Sequence, residues 1–405
     1  MSCFSRGIGL VRNSVELFRI AHAAKNRPRR LLLITHELTA SGSSILLSNL
    51  CRVYTDRGYA VVILTENQGP IAPPVQDAVD RACGLLRLSG RERIRLYFLK
   101  RLKELGFDLA IGNTVISGQF APALRRAGIR SIFLIHEMMA SLSILHMKKI
   151  AQELLDKDET LVFPASRVRD VFLRFAGVSG GPDNLLLLPQ GCRLPQSGIS
   201  LASAAQELRA WLKLPGNAAV VLGAGAINFG KGVDLCLLTL QKLLVAEVDR
   251  PYHLVWLGTV QQDDPYYQWL MVQIDVCGLS DRVHFAGFVR DVTAFGRILA
   301  GSDVFFLSSR EDSFPSVVIE AMCMRLPVIA FEGSGGASEY LANKGTGVCV
   351  PMADADAASR AIRSICADRQ RYANEKTEQR ARSDFEFGSY ADKLLALLEK
   401  SGDGR

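Results

Sequence analysis

Two acids eight positions apart, Asp312 and Glu320, stand in the run Ser308-Ser309-Arg310-Glu311-Asp312-Ser313-Phe314-Pro315-Ser316-Val317-Val318-Ile319-Glu320-Ala321-Met322. The apolar stretch DVFFLSS (303–309) reads as a buried strand and the stretch after Pro315 as a helix, so Asp312 falls on a strand-to-helix loop and Glu320 in the helix. Carboxylates so placed accept hydrogen bonds from several hydroxyls at once, while loop N–H groups stay free for a ligand. The helix dipole alone favours an acid near a helix start. It does not account for the second acid in the loop.

A cation and permissive backbone stand at a comparable turn. Lys231-Gly232 immediately precedes a helical stretch, where phosphate can sit; a plain surface lysine is the bland alternative. Nearer the start, Thr39-Ala40-Ser41-Gly42-Ser43-Ser44 follows the strand LLLIT (31–35), a turn whose N–H groups can face an anion. His36-Glu37 and His136-Glu137 each end a strand, and the chain has only 6 histidines, so chemistry is favoured over core packing for His136. Gly223-Ala224-Gly225-Ala226-Ile227-Asn228 half matches a dinucleotide fingerprint. Asn replaces its third glycine and no acid ends the strand YHLVWLG (252–258), so a nicotinamide enzyme is a poor fit. Asp354-Ala355-Asp356 has a metal-like spacing but opens a helical stretch, where Asp is a common cap; no metal is expected.

The elements that must hold these residues alternate along the chain. LLLIT (31–35), AVVILT (60–65), DLAIG (108–112), SIFLI (131–135), TLVFP (160–164) and NLLLLP (184–189) read as buried strands in the first half. AAVVLGAG (218–225), YHLVWLG, RVHFAGF (282–288), DVFFLSS, PVIAF (327–331) and GVCVP (347–351) do so in the second. Helical patterns between them predict parallel sheets covered on both faces. LPQGCRLPQSGIS (188–200) reads as a linker, and FGSYADKLLALLEK (387–400) as a terminal amphipathic helix. Ligands of such sheets bind at the carboxyl ends of the strands, so two domains are expected to face each other across a cleft.

The 405 residues, 48% hydrophobic and 22% charged, exclude disorder and low complexity, and no apolar run is long enough to span a bilayer. The 9 cysteines lie singly, without a C-x-x-C pair, as expected of a reduced cytoplasmic chain. The net charge of +7 is uneven: residues 1–30 and 87–103 carry +6 each, leaving −5 elsewhere. Both basic stretches are interleaved with large apolar residues, so both are expected to meet an anionic membrane surface, a peripheral placement on the inner face of the plasma membrane. No nucleic-acid recognition motif accompanies them, so nucleic acid is not an expected partner.

From about residue 31 to 400 the sequence resembles the GT-B glycosyltransferases of family 4, which are retaining nucleotide-sugar transferases. Asp312 to Glu320, followed by Ala321-Met322 and then PVIAF, matches that family's Glu-x7-Glu motif with Asp at its first position; Pro189-Gln190-Gly191, Lys231-Gly232 and Gly335-Gly336 match as well, and the N-terminal Gly42 and His136 match more loosely. The resemblance implies an α/β fold of two doubly wound Rossmann-like domains: a basic extension 1–30, an acceptor domain 31–195, a donor domain 196–384, and a C-terminal helix, 385–405, packing back on the first domain. It implies that Glu320 holds the nucleotide ribose, that Asp312 with the backbone of Phe314, Pro315 and Ser316 holds the donor sugar, that Lys231 and the amides at Gly42 take the diphosphate, and that His136 lies beside the sugar. The implied reaction is metal-independent transfer of a hexosyl-type sugar from a nucleotide-diphosphate sugar, a co-substrate rather than a cofactor, to a glycan or lipid-linked glycan acceptor in cell-surface polysaccharide or lipopolysaccharide synthesis. One departure stands out: the family's Arg five residues before the lysine is Ala226 here. That loss favours, as the alternative, a catalytically silent scaffold in a polysaccharide assembly complex.

Overall fold

The computed structural model describes residues 3–39, 41–66, 69–90, 92–157, 159–195, 198–246 and 250–400, with side chains from residue 11 onward. The chain divides into two compact units, residues 1–188 with 388–405, and residues 189–387.

The first unit holds β1 Arg30–Thr35, β2 Ala60–Thr65, β3 Gly84–Arg87, β4 Leu109–Asn113, β5 Arg130–Leu134, β6 Thr160–Phe163 and β7 Leu185–Leu187. They form one sheet in the order β3-β2-β1-β4-β5-β6-β7, all pairs parallel. Leu31, Leu32, Leu33 and Ile34 are all fully buried, which is why β1 reads as an unbroken apolar run: helices cover both faces. Strand β3 escapes the sequence pattern, being four residues, GLLR, with glycine at one end and arginine at the other. Its glycine is needed, since a Cβ at Gly84 would stand 2.5 Å from Ile20 Cγ1.

That contact comes from helix Cys3–Ala23, which corrects the expectation of a basic extension at 1–30. Ile20 and Ala24 are buried in the core of the first unit. Asn13 Nδ2 donates to Arg87 O at 2.9 Å, Asn13 Oδ1 accepts the Arg87 N–H at 3.2 Å, and Glu16 Oε1 accepts the Leu85 N–H at 3.3 Å. The helix thereby satisfies the free edge of β3, which would otherwise offer unpaired backbone to other chains. The second basic stretch, 87–103, is corrected too: Phe98, Leu99 and Leu102 of helix Glu92–Glu104 are core residues. Arg95 is buried, paired with Glu66 and donating to Gln119 O at 2.8 Å, while Lys103 meets Asp108 at 2.6 Å. Arg91 and the side chain of Arg6 lie outside the described residues.

Helix Phe387–Lys400 contributes to the first unit, where Tyr54 Oη donates to Ala391 O at 2.9 Å and Arg57 clasps Asp392 at 2.5 and 3.1 Å. The second unit holds β8 Ala219–Ala224, β9 Tyr252–Leu257, β10 Val283–Gly287, β11 Val304–Leu307, β12 Val328–Phe331 and β13 Val348–Val350. These are parallel in the order β10-β9-β8-β11-β12-β13. In each sheet the chain winds outward from its first strand, then returns to that strand's other side. The switch points therefore lie between β1 and β4 and between β8 and β11, where the carboxyl ends open a crevice for ligands.

Candidate functional site

In the second unit the loops after β8 and β11 meet at the switch point. Gly225 leaves β8 at φ +137°, and a Cβ there would crowd the Lys231 stem, 3.0 Å from Cε. Asn228 caps the turn Phe229–Lys231, its Oδ1 accepting the Lys231 N–H at 3.1 Å. Gly232, at φ +66°, brings the turn so close to the other loop that a Cβ would stand 2.2 Å from Ser308 O. Ser308 Oγ donates to Lys231 O at 2.8 Å, and the Arg310 N–H donates to Gly230 O at 2.8 Å.

The acid loop is fastened equally firmly on its far side. The Asp312 N–H donates to Ser334 O at 2.8 Å and the Gly336 N–H to Ser313 O at 2.7 Å. At Gly335 a Cβ would lie 1.5 Å from Asp312 O, so this crossing admits glycine alone. Held from both sides, Asp312 Oδ2 forms an ion pair with Lys231 Nζ and accepts from Ser309 Oγ at 3.4 Å. The two residues expected at diphosphate and sugar thus sit in contact, 81 positions apart in sequence.

Phe314 turns its ring into the core, 5.4 Å from the Phe385 ring, so only its backbone is available to a ligand. Pro315 stands at the N-cap of helix Ser316–Cys323 without a side-chain capping bond, which leaves the first helical N–H groups for an incoming acceptor. Glu320, in the second turn, has no side-chain hydrogen bond among the described residues, and burial pushes its carboxyl up to about 7. A buried carboxyl without donors resists ionising; hydroxyl donors from a ligand reverse that preference.

Arg310, the nearby cation that could stand in for the family's missing Arg, is committed elsewhere. Its guanidinium bonds Asp234 at 2.9 and 2.6 Å and lies 3.9 Å from the centre of the Phe229 ring. Tyr266 Oη donates to the same carboxylate at 2.6 Å. No sequence signal links Asp234, Tyr266 and Arg310, which converge from three separate elements.

The first unit gathers His36, Gly42, Asn113, Thr114 and His136 at its own switch point. His36 Nδ1 is 3.1 Å from Thr114 Oγ1, and Nε2 is 3.5 Å from Glu37 Oε1. Burial lowers the His36 pKa, opposed by the Glu37 charge. Ser41 caps helix Gly42–Asp56 by accepting the Ser44 N–H, and Asn113 Nδ2 donates to Ser43 O at 2.6 Å. Thr114 holds φ +124°, a strained conformation for a β-branched residue that nothing in the sequence announces. Glu137 accepts the Val115 N–H at 3.2 Å and the His136 N–H at 3.1 Å, and burial raises its carboxyl to about 7. The His136 ring is enclosed with both nitrogens unpartnered, and burial takes its pKa down to about 4, so the ring is neutral at pH 7. A neutral imidazole offers one donor and one acceptor to a polar ligand.

Two parallel Rossmann-like sheets, with a basic and an acidic loop meeting over a switch point, define the class: these are the α/β sheets of the GT-B fold. Residues 205–384, nearly all of the second unit, match the model of the family described as glycosyl transferases group 1. Among curated relatives it is 30% identical over 194 residues to the lipopolysaccharide core biosynthesis glycosyltransferase LpsE of Rhizobium meliloti; the match takes in 47% of this chain and 52% of that one. The chain therefore spans about half the length of this relative. Among solved structures, the sucrose-phosphate synthase of Thermosynechococcus elongatus shares the fold with a TM-score of 0.72 at 19% identity, covering 92% of this chain and 98% of that one. HepE of Anabaena, solved in complex with UDP and glucose, does so with a TM-score of 0.74 at 17% identity, covering 91% and 99%.

Proposed function

We propose that the chain is a retaining glycosyltransferase that moves a sugar, without a metal ion, from a nucleotide-diphosphate donor to a glycan or lipid-linked glycan in cell-surface polysaccharide or lipopolysaccharide synthesis. The observation that carries this reading is the switch point of the second unit, where Lys231 pairs with Asp312 and the half-buried Glu320 has no side-chain hydrogen bond among the described residues. Glu320 takes the two ribose hydroxyls, and Asp312 with the N–H groups at Phe314–Ser316 takes the sugar. Lys231 leaves Asp312 for the diphosphate and neutralises the charge that grows as the sugar bond breaks. In the first unit, His136 is the sugar contact and the Gly42 amide the phosphate contact. The acceptor hydroxyl attacks on the face the diphosphate leaves, giving its proton to a departing phosphate oxygen, which accounts for retention without a protein nucleophile.

The relatives support the donor and the pathway: HepE was solved with UDP and glucose, and LpsE is named for lipopolysaccharide core synthesis. Ala226 and the engagement of Arg310 with Asp234 favour the second reading, a silent scaffold, because they leave Lys231 as the cation of this loop pair. Thermal shift with UDP, GDP, dTDP and ADP and their sugars separates the readings from a non-binder. A nucleotide that stabilises wild type and not Glu320→Ala supports the donor site, and no response from a folded chain removes it. Product formation over a set of glycan acceptors then tells enzyme from scaffold.

A further inference from the structure

We propose that the outer face of helix Cys3–Ala23 docks on an anionic lipid surface. The helix buries Asn13 and Ile20 against the first unit and turns Val11, Val15 and Phe18 outward, 66%, 51% and 80% exposed. These three follow at i, i+4 and i+7 and so form one stripe along the helix. Side chains of this size on an open helix face, without a protein cover, are the apolar half of an interfacial helix.

Charge supplies the other half. Arg12 and Arg19 are exposed on the same helix, and Lys25 and Arg29 are exposed in the segment just past its end. Arg12 lies near enough to Arg87 that, after burial, it is the second cause lowering the Arg87 pKa, so positive charge is concentrated at this end of the unit. The one acid within 1–30, Glu16, accepts the Leu85 N–H through Oε1 and meets Arg19 at 3.5 Å through Oε2, so the uncompensated positive charge of the face is that of Arg12, Lys25 and Arg29. A second copy is a poor occupant, because a two-fold contact through this patch sets Arg12 and Arg19 against like charges. A surface of lipid phosphates meets the same cations with opposite charge while its acyl boundary takes the stripe.

The second basic stretch lacks this construction, having Phe98, Leu99 and Leu102 in the core and Arg95 and Lys103 paired to acids. Docking belongs to the first helix, and it stands whether or not the chain transfers sugar. The full chain is sedimented with vesicles of phosphatidylcholine alone or with about 30% phosphatidylglycerol. Wild type is expected to prefer the anionic vesicles roughly tenfold or more and to lose that preference in about 0.5 M NaCl, where charge is screened within a few ångströms. The Val11→Ser/Val15→Ser/Phe18→Ser variant and the Arg12→Gln/Arg19→Gln/Lys25→Gln variant each lose the binding at unchanged melting temperature. Arg93→Gln/Lys100→Gln on the second stretch keeps it. Equal sedimentation of wild type and both first-helix variants overturns the proposal, as does loss of binding in the second-stretch variant. It is overturned too if the apolar variant converts a dimer to a monomer, or releases nucleic acid, while vesicle binding is unchanged.

Discussion

Replacing Glu320 by Gln should make the protein more stable and less able to bind its donor. In the folded chain burial lifts this carboxyl from 4.5 to about 7, with no hydrogen bond to offset it. A folded-state pKa raised above the unfolded value means that the native state binds the extra proton between the two. Stability from this group is therefore present below pH 4.5 and is lost as pH rises through about 7. At pH 8 the ionised carboxylate costs about 3 kcal/mol, and its neutral isostere removes that cost, raising the melting temperature by roughly 7 °C for a unit of this size. At pH 4 the two proteins should melt together. Donor binding runs the other way, because the ionised form accepts both ribose hydroxyls. With a pKa of about 7 the ionised fraction falls about tenfold from pH 8 to pH 6. Calorimetric titration with a nucleotide sugar, whose diphosphate diester does not titrate in this range, should show that tenfold loss in wild type and a weak, flat profile in Glu320→Gln. A variant less stable than wild type at pH 8, or a wild-type affinity indifferent to pH, would refute the reasoning.

Three further outcomes follow from particular contacts. Lys231→Met and Asp312→Asn should each weaken nucleotide-sugar binding about tenfold or more, and the double variant should lose less than the sum, since each single change strands a partly buried partner; a double-mutant cycle reads the coupling. Gly335→Ala should destabilise the second unit by roughly 3 kcal/mol in a denaturant titration, because its Cβ has no room beside Asp312 O. His253, its Nδ1 3.1 Å from His284 Nε2, is held neutral by burial first and then by His284 and Arg282, with a pKa of about 4. A lowered histidine pKa means stability present above about 6.5 and lost as pH falls toward 4, so His253→Gln should flatten the acid limb of a melting-temperature profile.

What the sequence discloses here depends on whether a feature is local. Buried parallel strands declare themselves as apolar runs, and twelve of those runs are strands; β3 does not, because an edge strand of GLLR carries too little apolar pattern. Helix Cys3–Ala23 reads as an extension because its attachment is through Asn13 and Glu16 to the backbone of that unseen strand. Conversely, Phe98, Leu99 and Leu102 look available to a bilayer only until the sheet beneath them is known. In the candidate site, Lys231, Asp312 and Glu320 are legible because each sits on a turn or helix start that its own neighbours define. The Lys231–Asp312 pair, the Asp234–Arg310–Tyr266 cluster and the strain at Thr114 arise from tertiary contacts, and no spacing encodes them.

The most direct test is a crystal structure of the chain with the nucleotide sugar that stabilises it. The account predicts both ribose hydroxyls on Glu320, the diphosphate on Lys231 and the Lys231–Asp312 pair opened, with Asp312 on the sugar. A nucleotide bound elsewhere, or bound here with the ion pair intact and Glu320 free of the ribose, would contradict it.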